Sequence, residues 1–597
     1  MNLPEAKANS AVRAKNSVEK EIKNLIKDAL KNLNIEVNNV ALEHPEDLKN
    51  GDYSTNVALA VAKKIGENPK QLAEKICKEL ERLNVDNNIE KFEVAGAGFI
   101  NFYLSRKFFS RNVEKILNQG ADTGKNEILF GKKIMVEYTD PNPFKPFHIG
   151  HLMTNAIGES IARILEHSGA IVSRANYQGD IGLHVAKAIY GLLKDSKLAQ
   201  KTGNHNEEAQ NIGKAYAFGA EAYENNEHAK KEIDEINKKI YARNDEKINE
   251  IYDWGFEATM EAFEDLYKVL GTKFDFYFLE SAMAEIGEEI VHANSRKVFV
   301  ESEGAIIFKA EEHNPKLHTR VFITSQGLPT YETKELGLAA EKFKTFPNMN
   351  LSIVITANEQ AEYMKVVAKA LSLLYPEFEN RMKHITHGMM RFDKNSSLGK
   401  MSSRKGNIIT GESLLRDVEV MVREKMSAKG GPASGWQEKE VQNVASDVAV
   451  SALKYSILKQ SIGGDIIYDF EKSISFDGDS GPYLCYSYAR ANSVLEKAVR
   501  ENILPDPHAA PEEAWEVEKI LYKFPEIIHR SATEYEPHYI THYLIELARA
   551  FNSFYGNNTI VSKTDSHSSY KIALTFAFSF VMKTGLHLLG IKAPAKM

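Results

Sequence analysis

KKIMVEYTDPNPFKPFHIGH, residues 132–151, decides the fold. Its first nine residues, KKIMVEYTD (132–140), form a short apolar run with the length and β-branched content of a buried strand. The run passes directly into a proline-rich loop, PNPFKPFHIGH (141–151). A helix follows, with Leu152, Ile157, Ile161, Ile164 and Leu165 at three- to four-residue spacing. AIVSRANYQGD (170–180) then reads as a second strand and glycine turn, with another helix from about 183. Strand, loop, helix, strand is a βαβ unit, which calls for a parallel sheet. Three later β-rich stretches are expected to supply the second half of one doubly wound, Rossmann-like α/β sheet. They are VFVESEGAIIFKA (298–310), HTRVFITSQGLPTYE (318–332) and NLSIVITANEQ (350–360).

Outward from this centre the pattern changes. Residues 195–268 hold no proline and many Glu, Lys and Ala, which predicts a helical insertion. Residues 11–35 and 68–84 have a helical period with alternating charges, and FEVAGAGFINFYL (92–104) reads as strand, glycine turn, strand. The expected first unit is therefore a small α+β domain, 1–110. The α/β domain is expected over 111–450. Beyond about 440 the strand signal vanishes, so 451–597 is expected to be an all-α helical bundle.

The composition sets limits. A 597-residue chain with 43% hydrophobic and 26% charged residues has room for about three to five domains, and disorder or fibrous repeats are excluded. Seventy-five Lys and Arg against 82 Asp and Glu give a net charge of −7, so no global basic field exists to hold DNA. A local RNA-binding surface stays open. Two cysteines, Cys77 and Cys485, build neither a disulfide framework nor a zinc knuckle. The N-terminal residues lack the apolar core of a secretory signal, and TFAFSFVM (575–582) is far shorter than the ~20 apolar residues of a membrane span. A cytoplasmic protein with no membrane partner is expected.

Two motifs carry chemistry. The loop 141–151 lies between a strand end and a helix N-terminus, where open α/β sheets bind ligands and the helix dipole favours phosphate. His148 and His151 bracket Gly150, offering donors to phosphate oxygens beside a residue without a side chain. The plainer reading is a proline-rich turn with incidental histidines. The second motif is GKMSSRKGN (399–407), a glycine-bounded polar loop. Between Arg381 and Asn407 there are seven Lys and Arg and one acid, Asp393, a balance that suits a polyphosphate leaving group.

HIGH (148–151) paired with KMSSR (400–404) resembles the two signatures of the class I aminoacyl-tRNA synthetases. Five stretches narrow the resemblance to the arginyl-tRNA synthetases: GDYSTNVAL (51–59), VEYTDPNPFKPFHIGHL (136–152), YETKELGLA (331–339), DSGPYLCYSYAR (479–490) and LLGIKAPAKM (588–597). They reach across nearly the whole chain.

The resemblance implies ATP-dependent ligation of L-arginine to its tRNA through an arginyl-adenylate, with Mg²⁺ accompanying ATP. It implies no zinc and no metal held by the protein alone. Catalytic roles fall to His148, His151, Lys145 and Lys400, and ATP contacts to Pro143, Gly150, Ser402, Ser403 and Lys405. The arginine contacts are Glu137, Asn142, His148, Tyr331, Glu335 and Gln360. A planar, permanently charged guanidinium needs carboxylates of this kind.

This chain departs from the family pattern twice. Glu335 stands where the family commonly has Asp. Ser403 replaces the second signature lysine, and Lys145, just before HIGH, is assigned as its substitute, with Lys405 as the competitor. Lysine is the alternative amino acid, since carboxylates also accept ammonium. The first domain is implied to touch the outer corner of the tRNA, with Asn56 on that face. The helical bundle is implied to bind the anticodon through Tyr483, Tyr488 and Arg490. A monomer is expected.

Overall fold

The computed structural model describes residues 17–84, 88–392, 409–428 and 435–597. The first unit contains α1 (Val18–Asn32), β1 (Tyr53–Thr55), α2 (Val57–Ile65), α3 (Pro69–Leu83), β2 (Ile89–Ala95), β3 (Phe99–Leu104) and α4 (Arg106–Gln119). β1, β3 and β2 form an antiparallel sheet, as the strand–glycine–strand reading requires. This unit docks on the C-terminal helices through polar contacts: His44 to Glu526 at 3.0 Å and Arg106 to Glu518 at 2.7 Å.

The central unit begins with β4 (Lys133–Glu137), α5 (Ile149–His167), β5 (Ile171–Gln178) and α6 (Leu183–Lys194). The helical insertion is α7 (His205–Asn225), α8 (Glu227–Ala242) and α9 (Glu246–Leu270). Then come β6 (Phe276–Leu279), α10 (Glu280–Ala293), β7 (Val300–Ser302), β8 (Ala305–Phe308), β9 (Arg320–Ile323), α11 (Tyr331–Thr345), β10 (Leu351–Ala357), α12 (Ala361–Leu374), β11 (Met382–His387) and β12 (Met390–Phe392).

The five-stranded sheet has the order β11–β10–β4–β5–β6 and every pairing in it is parallel. β4, β5 and β6 succeed one another in one direction and β10, β11 extend in the other. The strand order therefore reverses between β4 and β10, and a ligand crevice opens at their carboxyl ends.

Two expectations need correction. The stretches 298–310 and 318–332 do not join the main sheet; β7, β8 and β9 form a separate antiparallel sheet. Their connection explains it: Glu303 and Gly304 both have positive φ, the backbone of a tight hairpin turn that can only return antiparallel. Strands also persist beyond residue 440. β13 (Ile466–Tyr468) follows α13 (Gly411–Ser427) and α14 (Glu438–Leu458) and pairs in parallel with β12. Three residues are too few to give a periodic signal. α14 runs unbroken through the boundary expected at 450/451.

The C-terminal helices are α15 (Phe470–Ser473), α16 (Gly481–Arg500), α17 (Glu516–Leu521), α18 (Phe524–Glu534), α19 (His538–Asn557) and α20 (Ser568–Leu588). No helix among the described residues is long and apolar enough to cross a membrane. α5 lies between the sheet and these helices and is buried on all sides from His151 to Ala162. That burial explains its apolar and small residues on every face. Gly158 is one of them, because the ring of Tyr138 lies 2.2 Å from where its Cβ would stand.

Candidate active site

A cavity of about 930 Å³ occupies the point where the strand order reverses. Its floor is the loop that joins β4 to α5. Thr139, Asp140 and Phe144 there all have positive φ, at 80°, 47° and 66°. Each such non-glycine residue costs on the order of 1 kcal/mol or more, so the fold must hold the loop in place. Asn155 Nδ2 donates to Thr139 Oγ1 at 3.0 Å, and the Tyr177 N–H donates to Asp140 Oδ1 at 2.7 Å. Phe144 is wholly buried against Tyr252 and Gly255 of α9, so the helical insertion secures the loop.

One end of the cavity is built from imidazoles and lysines. His148 caps the N-terminus of α5, and His151 is the third residue of that helix. Each ring accepts the other's backbone N–H at Nδ1, at 3.3 and 3.2 Å, and the two rings stack with centroids 3.4 Å apart. A neutral imidazole that accepts at Nδ1 carries its proton on Nε2. Both histidines are neutral: burial and then the Lys145 charge push His148 down to about 4, and burial with the neighbouring His148 holds His151 well below the usual range. The pair thus presents Nε2–H donors. His184 near the start of α6 is pushed to about 3 by burial and Lys145, with Nε2 2.8 Å from the Gly179 carbonyl.

The other end is acidic. Glu137, the last residue of β4, is 2% exposed and forms an ion pair with Lys342 of α11, equally buried. The Lys342 ammonium meets Glu137 Oε2 directly, so this carboxylate is matched by one cation in the interior. Glu280 pairs with Lys334 at 2.5 Å. Among the described residues Glu335 and Asp140 form no ion pair, although the Lys342 charge acts on both. Burial first and Glu137 second push the Glu335 carboxyl up to about 8 and the Asp140 carboxyl well above its ordinary range.

The remaining arginine-assigned residues line the same cavity. Asn142 fits because residue 179 is glycine; a Cβ there would come within 2.2 Å of Asn142 Oδ1. Gln360 Oε1 accepts from the Tyr363 hydroxyl at 3.1 Å, leaving its amide N–H groups free for a ligand. Tyr331 is 69% exposed and stands at the mouth, with the Lys334 ammonium 5.4 Å from its ring centroid.

Glu137, Asn142, Lys145, His148, Gly150, His151, Tyr331, Glu335 and Gln360 are thus brought together around one cavity. Pro143 is buried in the loop beneath it. Lys400, Ser402, Ser403 and Lys405 lie outside the described residues. Sequence reasoning missed Lys342, Glu280, Lys334, His184 and Lys187. A usable signal existed for two of them: YQGDIGLHVAK (177–187) is a second strand–turn–helix, and its helix opens onto the same crevice. Among the described residues no group of three His, Cys, Asp or Glu side chains is arranged to hold a metal ion.

The residues assigned to tRNA are scattered. Asn56 is exposed at the start of α2. On α16 the Arg490 guanidinium lies 4.8 Å from the Tyr486 ring centroid and 5.0 Å from that of Tyr555, and it donates to Asn552. Asn552 in turn donates to the Tyr483 hydroxyl at 3.0 Å. Tyr488 differs from the others: it is 7% exposed and packs in the helical core, because it faces inward on α16.

Comparison with known proteins covers almost the whole chain. Residues 112–470 match the family described as tRNA synthetases class I (R), catalytic domain. Residues 484–597 match the DALR anticodon binding domain, and residues 20–104 the arginyl tRNA synthetase N terminal domain. The arginine–tRNA ligase of Clostridium perfringens is 30% identical over 593 residues, covering 97% of this chain and all of that one. The arginine–tRNA ligase of Fusobacterium nucleatum is 32% identical over 558 residues, 92% of this chain and 93% of the relative. In fold, the chain is similar to the Thermus thermophilus arginyl-tRNA synthetase, with a TM-score of 0.77 at 22% identity over 97% of this chain and 99% of that one.

Proposed function

The chain belongs to the class I arginyl-tRNA synthetases, and on that premise we propose which of its residues carry the reaction. It joins arginine to tRNA for translation. The reaction runs in two steps. An oxygen of the arginine carboxylate attacks the α-phosphorus of ATP, the bond to the bridging oxygen of the β-phosphate breaks, and arginyl-adenylate and pyrophosphate result. A hydroxyl of the terminal tRNA ribose then attacks the adenylate carbonyl, giving arginyl-tRNA and AMP.

One observation carries this assignment: the cavity separates its charges. Carboxylates gather at one end, and lysine with Nε2–H imidazoles at the other. Arginine carries a cation on its side chain and reacts at the opposite end with a polyphosphate, so it matches that polarity. The guanidinium lies at Glu137 and Glu335, where it donates to the Glu137 carboxylate beside Lys342. Asn142 and Gln360 hold the amino acid's backbone groups, and Tyr331 closes over it from the mouth.

His148 and His151 donate from Nε2 to phosphate oxygens on the helix N-terminus, and Lys145 neutralises charge that builds on the leaving group. Lys400, Ser402, Ser403 and Lys405 join them by family resemblance. No side-chain nucleophile is needed; positioning and charge neutralisation do the work. Of the acids that line the cavity, Glu137 and Glu280 are committed to Lys342 and Lys334. The donors left at the wall suit phosphate oxygens rather than a bare cation, so magnesium enters as part of the ATP substrate.

We assign the first unit to the outer corner of the tRNA and the C-terminal helices, through Arg490 and Tyr483, to the anticodon loop. The enzyme acts as a cytoplasmic monomer. Aminoacylation tested against all twenty amino acids, with ATP–pyrophosphate exchange measured with and without tRNA, checks the reading. Charging with arginine alone is expected; charging with lysine, or none at all, would refute it.

A further inference from the structure

Lys145 and Lys187 are the unusual charges of this cavity. Both line it, one from the loop before α5 and one from the second turn of α6. Neither has a carboxylate within ion-pair distance among the described residues, whereas Lys342 and Lys334 at the acidic end each have one. Each instead rests on an aromatic face. The Lys145 ammonium lies 5.4 Å from the Tyr216 ring centroid and the Lys187 ammonium 4.5 Å from that of Tyr223. Tyr216 and Tyr223 are both on α7, seven residues apart, and so share one face of the helix. Tyr223 is itself anchored, its hydroxyl donating to Asp234 of α8 at 3.1 Å.

The difference between the two supports is chemical. A carboxylate fixes an ammonium and cancels its charge. An aromatic ring holds it by the quadrupole and places no neutralising charge beside it. The two cations repel each other: Lys187 is the charge that, after burial, most lowers the Lys145 ammonium pKa, and Glu280 offsets it only in part. An anion between them removes that repulsion. The flanking His148 and His184 are neutral and add donors or acceptors without further charge.

We propose that Lys187 is a second phosphate cation of the reaction, clamping the pyrophosphate leaving group of ATP together with Lys145, with Tyr216 and Tyr223 holding the two ammonium groups in place. This rests on the ATP-dependent reading above. The polyphosphate is favoured over the arginine carboxylate because two cations call for more than one negative charge. It is favoured over the tRNA backbone because Lys145 is only three residues from the His148 wall. The clamp also answers the charge deficit that Ser403 leaves in the signature loop. Tyr216 and Tyr223 are positioning residues in this scheme.

The test uses the full-length enzyme with tRNA present and inorganic pyrophosphate as probe. Lys187→Gln should slow single-turnover adenylate formation by about 10²-fold. It should weaken pyrophosphate inhibition about tenfold and leave arginine KM unchanged. Lys187→Arg, which keeps the charge, should recover most of both. Tyr223→Leu, which keeps the lysine but removes its support, should give a smaller loss of the same kind. If tRNA KM rises while pyrophosphate inhibition and adenylate formation hold, the cations grip the tRNA backbone and the proposal is wrong. Equal losses in the Gln and Arg variants would also overturn it, since then only packing matters. Failure of the wild-type enzyme to charge arginine would instead refute the underlying reading, independently of Lys187.

Discussion

The two ends of the cavity handle charge in opposite ways. The acidic end cancels part of its own: Lys342 is committed to Glu137 and Lys334 to Glu280, while Glu335 and Asp140 form no ion pair among the described residues and their carboxyl pKa values are raised. The basic end forms no such ion pairs among the described residues: its lysines lean on tyrosine rings, Glu280 only partly offsets the charge at Lys145, and its histidines are neutral. The difference matches the ligands proposed for the two ends. A guanidinium brings one fixed positive charge, and a buried pocket with four unmatched carboxylates would be costly in its absence. A triphosphate brings several negative charges, so cations held ready for it are kept free.

The largest expected effect tests the pre-cancelled pair. Glu137→Gln strands the Lys342 ammonium in the interior, which costs about 3–5 kcal/mol of stability. It also removes a charge-assisted contact to arginine, worth about 2–5 kcal/mol, so arginine KM should rise about thirtyfold or more. Adding Lys342→Met removes the stranded charge. The double variant should regain its melting temperature but not its arginine KM. Recovery of both would mean that Glu137 is only half of a structural ion pair and that the guanidinium lies elsewhere.

The matching test at the other end is Lys145→Ala. Adenylate formation should fall by about 10²-fold, the scale of one lost transition-state contact, while arginine KM stays nearly constant. A large change in arginine KM would show that the two ends are not independent.

What was legible in the sequence follows the same division between local and distant causes. β4, the loop and α5 could be read directly, because strand, proline-rich loop and helix N-terminus are consecutive and each has its own signal. The histidines and Glu137 came with them. Lys342 was invisible for a physical reason: it sits on a helix rich in charge and looks like any solvated lysine. Lys187 had only the strand–turn–helix signal around it, on the largely apolar α6. Their surroundings are set by Glu137, more than two hundred residues from Lys342, and by Tyr223 on the insertion helix. Likewise 298–310 has a clear strand signal, but whether a strand joins a parallel sheet or turns back on itself depends on its partner. The positive φ at Glu303 and Gly304 decided it. Tyr488 lies in the helical core, which the sequence did not show because a tyrosine on an amphipathic helix has the same letter whether it faces in or out.

A smaller effect concerns pH. With its carboxyl near 8, Glu335 is largely protonated at neutral pH before arginine binds. A guanidinium needs the carboxylate, so arginine affinity should improve as pH rises and level off above about 8, by at most about tenfold per unit. Stability runs the other way. A carboxyl whose pKa is raised by folding lends stability at low pH that is lost as pH rises through the folded value. The ligand-free enzyme should therefore melt progressively lower between pH 5 and 8, and saturating arginine should offset the loss. Glu335→Gln should flatten both slopes; if they persist, Asp140 is the titrating group.

The finest test of the contrast is Glu335→Asp, the residue more common in the family. The charge is kept and only the reach changes, by one methylene. Glu137 is the largest electrostatic cause of the raised Glu335 pKa after burial, with Lys342 opposing it. Retracting the carboxylate toward its own helix changes both influences. If proximity to Glu137 sets the titration, the shorter side chain should ionise at lower pH, and the plateau of arginine affinity should move down with it. Arginine KM itself should change only a few-fold, because an aspartate can still reach the guanidinium through a bridging water. Discrimination against lysine should change as well, since an ammonium depends on a direct contact more than a planar guanidinium with several donors does. The measurements are arginine KM across pH 6–9 and the ratio of arginine to lysine activation. An unchanged pH midpoint would show that burial alone raises Glu335, and the acidic end would then be a set of independent carboxyls rather than a coupled cluster.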